Sequence, residues 1–165
     1  MPDQHERWTM AATNFVYLTA GAYADIFVDR HAKRVRKVFR LRNKRDAAYD
    51  SFKTELAAYL VAIDHQEVRE LVPAFWGAIT SPPILDDQGV DRSDHFYLDL
   101  CYELELIEGY FEKFGVLPTS AQKELQRRFQ AAGIHAIVDA SVATFPDGSM
   151  KVIDFGIAGV EEWMD

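Results

Sequence analysis

Arg34-Val35-Arg36-Lys37-Val38-Phe39-Arg40-Leu41 shows clear alternation. Successive side chains of an extended chain point to opposite faces, so Val35, Lys37, Phe39 and Leu41 share one face. Arg34, Arg36, Val38 and Arg40 share the other, which reads as a solvated sheet surface. Lys37 is the one charge on the apolar face.

Upstream, Phe15 to Leu18 reads as a strand, Thr19 to Ala22 as a small-residue turn, and Asp25 to Val28 as the return strand. Downstream, Asp46 to about Ile63 has helical spacing, with a stripe of Ala48, Phe52, Leu56, Tyr59, Leu60 and Ile63. Glu55 lies on that stripe, three residues after Phe52 and four before Tyr59, as its one carboxylate. Pro73 to Ile79 resembles a strand, Ser81 to Asp94 an exposed loop, and His95 to Leu106 a long strand broken by Ile107-Glu108-Gly109. A short helix is expected over Tyr110 to Phe114. Thr119 with Gln122 forms a capping-box pattern opening a helix that carries Leu125 and Phe129 and closes at Gly133. Ser141 to Phe145, the turn Pro146-Asp147-Gly148, and Met150 to Ile153 read as a hairpin. The order is α+β.

The length of 165 residues suits one domain, and 48% hydrophobic content supplies a core. A net charge of −8 argues against a nucleic-acid partner, because phosphate contacts need clustered Lys and Arg. The basic stretch Lys33 to Arg45 reads first as a solvated sheet face and second as a surface for an acidic partner. The single cysteine, Cys101, excludes an internal disulfide and fits a reducing compartment. No apolar run spans a bilayer, and Met1 to Arg7 does not resemble a signal peptide, so the cytoplasm and no membrane association are expected; leaderless export stays open. Walker-type phosphate loops, zinc-spaced Cys and His, and a Gly-x-Ser-x-Gly elbow are absent from the sequence.

Two places carry chemistry. Lys37 and Glu55 are opposite charges, each alone on an apolar face and costly to bury unless they meet each other or a ligand. The alternative is a snorkelling lysine and a half-exposed glutamate. Asp154-Phe155-Gly156 follows the strand Lys151-Val152-Ile153, and a carboxylate at a strand end can chelate Mg²⁺, which prefers oxygen ligands and bridges phosphates.

In this order and spacing the residues resemble the protein-kinase-like superfamily, over roughly Phe15 to Gly156. Leu18 to Val28 is similar to a degenerate glycine-rich loop, with Gly21 its one glycine. Val35-Arg36-Lys37 resembles the strand whose lysine grips ATP phosphates, and Glu55 its helix partner. Leu104 to Gly109 resembles the hinge, which implies adenine contacts at Glu105 and Ile107. Ile153 to Gly156 resembles the metal-binding signature, with Asp154 holding Mg²⁺. The resemblance implies a β-rich N-lobe over about residues 10–104, a hinge with a strongly reduced helical C-lobe over 105–165, ATP and Mg²⁺ as cofactors, and a protein partner or substrate.

The sequence also departs from that pattern. Counting back thirteen residues from Asp154 reaches Ser141 where the family has a metal-binding Asn, and Ala136 stands where it has the catalytic Asp, beside His135. Ser141 is retained as a metal ligand through its hydroxyl. His135 reads as either a packed structural histidine or a proton shuttle, and Asp139 as either a displaced base or metal ligand or a loop cap. Only nine residues follow Gly156, so a substrate would be held by the small lobe, by an oligomer partner, or not at all. Two functions follow as expectations: an ATP-dependent phosphotransferase of the serine/threonine-kinase type, or a catalytically impaired pseudokinase that works as a nucleotide- or protein-binding module.

Overall fold

The computed structural model describes residues 7–135 and 137–155. Its strands are β1 (Thr9–Met10), β2 (Val16–Ala20), β3 (Ala24–Asp29), β4 (Arg34–Arg40), β5 (Phe75–Ile79), β6 (Ile84–Leu85), β7 (Phe96–Glu105), β8 (Phe111–Lys113), β9 (Ser141–Thr144) and β10 (Met150–Ile153). Its helices are α1 (Arg45–Ile63), α2 (Gln66–Arg69) and α3 (Thr119–Ala131). The fold is mixed α+β, and the chain divides into two compact units. One comprises residues up to Phe52 together with Trp76–Leu106; the other comprises Lys53–Phe75 and residues from Ile107 on.

The first unit is a curled seven-stranded sheet in the order β5-β7-β4-β3-β2-β1-β6. Strand β4 lies near its centre, pairing antiparallel with β3 (Ile26 opposite Lys37) and β7 (Lys37 opposite Tyr102). The Arg34–Arg40 strand was expected to expose its arginines, and here the structure corrects the sequence. Val38 is fully buried in a cluster with Trp8, Met10, Phe15, Tyr17, Phe27, Ile84, Phe96 and Cys101. Arg34 and Arg36 both donate to the buried Glu103 carboxylate, at 2.9 and 3.1 Å. The Arg36 guanidinium also lies 4.0 Å over the Phe15 ring. The sheet curls, so its second face has a core of its own, and the arginines bind along the border of that core.

The Ser81–Asp94 segment also departs from an exposed loop. Ile84 is completely buried, because β6 pairs with β1 through Met10 and Ile84. Asp86 pins the remainder, accepting hydrogen bonds from the Gln88 and Val90 amides and from Arg92 Nε.

Helix α1 buries Ala48, Ser51, Phe52, Glu55, Ala58, Tyr59 and Ala62, which recur with the helical period along one face. Leu60, expected in that stripe, is exposed, because its position falls one residue beyond Tyr59, off the buried face.

The second unit pairs β8, β9 and β10 in one antiparallel sheet. The expected hairpin forms, with Gly148 at φ +87° in its turn. Tyr110 to Phe114 is not a helix: Phe111–Lys113 extends as β8, which leads into a single 3₁₀ turn over Phe114–Val116. Nor is Thr119 a capping residue. Pro118 takes the cap position and its carbonyl accepts the Gln122 amide, while Gln122 Nε2 reaches back to the Gly115 and Leu117 carbonyls. Leu125 and Phe129 are fully buried, and Gly133 closes the helix at φ +84°.

Candidate functional site

Lys37 is half-buried on the β4 face that carries Phe39. Its Nζ lies 5.7 Å from the Phe39 ring centre and 6.0 Å from that of Tyr102. Phe52 of α1 packs edge-on against Phe39 at 5.9 Å and tilted against Tyr102 at 6.2 Å. The first turns of α1 therefore cover the face that bears Lys37. Glu55 is one helical turn further along the same side of α1 and is 3% exposed.

In the second unit, the Asp154 amide meets the buried Tyr59 hydroxyl, four residues beyond Glu55 on α1. Burial pushes the Tyr59 phenol well above its ordinary range, and the charges of Asp154 and Glu55 push it further. A hydrogen bond from the Asp154 amide to the Tyr59 hydroxyl, at 3.5 Å, works in the opposite direction. Tyr59 is thus held as a neutral phenol near two carboxylates. The sequence reading placed it only in the apolar stripe; its position four residues after Glu55 on one helix face is the signal that marks it.

Asp154 is placed by its neighbours. Strand β10 ends at Ile153, opposite Ser141 of β9. Phe155 is fully buried, with its ring 4.6 Å from that of Tyr59 and 5.3 Å from that of Phe129. Between these two anchors Asp154 adopts φ +58°, a left-handed conformation that aspartate tolerates better than most residues. Its carboxylate remains partly accessible.

The other candidates are more dispersed. Ser141 is half-buried and is the cross-strand partner of the residue before Asp154. Asp139 is exposed two residues earlier; its carbonyl accepts from Lys113 Nζ at 3.3 Å, and its side chain caps nothing among the described residues. His135 is exposed, which corrects the reading of a packed histidine. Ala136 and Gly156 lie outside the described residues. Gly21 sits in the β2–β3 turn, its amide bonded to the Ala24 carbonyl at 2.7 Å. Glu105 ends β7 opposite Arg34, the Leu106 amide is taken by the Lys33 carbonyl, and Ile107 begins the second segment of the second unit.

The donor set suits one kind of metal binding. Among the described residues no cluster of three His, Cys, Asp or Glu side chains forms a self-sufficient cage. Asp154 and Ser141, the latter paired across the sheet with Ile153, carry oxygen donors, the type that Mg²⁺ prefers. No protein-family model matches the chain, and no curated protein matches it.

Proposed function

We propose that the chain binds MgATP and transfers its terminal phosphate, as a member of the protein-kinase-like superfamily. The observation that carries the reading is Asp154 at the end of β10, its amide on the buried Tyr59 hydroxyl of the helix that bears Glu55, with Lys37 on the sheet face that the first turns of that helix cover. Lys37 would hold the phosphates, oriented by Glu55. Asp154, assisted by Ser141, would hold Mg²⁺, which supplies charge neutralisation on the phosphates. Gly21 and its loop would cover the phosphates, and the backbone around Glu105 and Ile107 would receive adenine. Asp139 is the carboxylate assigned to position an acceptor hydroxyl, with His135 nearby in sequence. Phosphoryl transfer depends mainly on positioning and charge neutralisation. Loss of a general base costs about 10²–10⁴-fold, which leaves a slow enzyme.

The second reading is a pseudokinase that binds nucleotide and regulates a protein partner. It draws on Ser141 in place of an asparagine and on the exposed Asp139, whose carboxylate no described residue holds. One set of assays separates the two. Thermal stabilisation by MgATP, with incorporation of label from γ-³²P-ATP that Lys37→Ala and Asp154→Ala both abolish, is the expected result. Stabilisation without labelling supports the regulator, and neither signal rejects both.

A further inference from the structure

Arg40, three residues beyond Lys37 on β4, is buried at the end of the strand, 5% exposed. Its Nη1 donates to the Asp25 carboxylate at 2.6 Å and to the Ala24 carbonyl at 3.0 Å. Its Nη2 donates to the carbonyls of Gly21 and Ala22, at 2.6 and 2.7 Å. The Arg40 amide and Asn43 Nδ2 both bond the Tyr23 carbonyl, at 2.9 and 3.3 Å. Every carbonyl from Gly21 to Ala24 is therefore turned toward Arg40 and its neighbours. A sheet surface requires none of this, and Asp25 is itself fully buried.

We propose that Arg40 is a positioning residue, a latch that fixes the Gly21–Ala24 loop so that its backbone amides face a bound anion. In a trans peptide the C=O and the following N–H point in opposite directions. Holding the Gly21 and Ala22 carbonyls on the guanidinium consequently directs the Ala22 and Tyr23 amides away from it. Two successive outward N–H groups make a small concavity suited to an anionic oxygen, such as a phosphate oxygen. In a nucleotide-binding chain of this kind, a loop with one glycine obtains from an arginine the order that its backbone would otherwise lack. The Asp25 carboxylate neutralises the latch, so the anion meets amides rather than a bare cation.

The functional half rests on the MgATP reading, and the structural half does not, so two readouts are taken on the full chain. Backbone ¹⁵N relaxation of Gly21 to Ala24 tests the latch without ligand. The wild type is expected to show order parameters near those of rigid backbone, about 0.85, and Arg40→Lys, which cannot span four acceptors, a fall below about 0.6. Asn43→Ala, an exposed change that removes only the Tyr23 bond, gives a smaller fall and guards against a variant that fails to fold. Titration with MgATP then shifts the Ala22 and Tyr23 amides, with about tenfold weaker binding in Arg40→Lys. A mobile wild-type loop, or a loop that stays rigid in Arg40→Lys, overturns the latch. A rigid loop that loosens in Arg40→Lys without any MgATP binding keeps the latch and overturns the nucleotide reading. Equal MgATP affinity in both proteins overturns the positioning role.

Discussion

At Gly21 the backbone asks for nothing that alanine lacks: its φ is not in the left-handed region, and an added Cβ would sit 3.5 Å from the Ala24 carbonyl, in ordinary contact. Gly21→Ala should therefore leave thermal stability within about 0.5 kcal/mol of wild type, the range of a neutral surface change. A large loss of MgATP affinity in the same variant would show that the space is kept for a ligand. Cys101 gives a second test at this scale. Burial pushes its thiol up to about 12, so at pH 8 the nucleophilic thiolate is essentially absent. Native protein should resist iodoacetamide and react only after unfolding; fast alkylation at pH 8 would contradict the packing around β7. Single residues were only partly legible in the sequence. Lys37, Glu55 and Asp154 stood out because each is a charge in an apolar pattern or at a strand end. Arg40 did not, because three arginines on one face of a strand look like a solvated face until the sheet curls over them.

The β9–β10 hairpin and its end point were legible because turn chemistry and alternation agree there, Pro146-Asp147-Gly148 between two short apolar runs. The anchoring of Asp154 was not, since it depends on Phe155 meeting Tyr59 and Phe129 from distant parts of the chain. Phe155→Ala should cost about 3–5 kcal/mol of stability, as for other fully buried phenylalanines, and should release Asp154 from its left-handed conformation. Chemical denaturation with an NMR probe of the Asp154 amide would measure both; a loss under 1 kcal/mol would contradict the anchor. The Ser81–Asp94 segment misled because prolines and aspartates read as solvent-exposed, whereas Asp86 organises it. Burial works to raise the Asp86 carboxyl, but hydrogen bonds from Val90, Arg92 and Gln88 outweigh it and hold the group below its ordinary value of 3.8. A depressed carboxyl contributes stability above the unfolded value and loses it as pH falls through the folded one. Amide exchange in this loop should thus be insensitive to Asp86 ionisation from pH 7 to 5 and loosen below 3.8, with Asp86→Asn removing that acid sensitivity.

For the whole molecule, the α+β order could be read from periodicity, but the division into units could not. Helix α1 is continuous, yet Phe52 belongs to the sheet unit and Lys53 to the other, a membership decided by tertiary packing. Lys37 falls in one unit, and Glu55 and Asp154 in the other; under the proposed MgATP reading Lys37 and Glu55 act on the same phosphates. A double-mutant cycle on MgATP affinity measures that link directly, using Lys37→Met, Glu55→Gln and the double variant. If the glutamate acts by orienting the lysine, each single change weakens binding and the double change is hardly worse than Lys37→Met, a coupling of about 0.5–3 kcal/mol. Strict additivity, or MgATP affinity unmoved by either change, would contradict the account.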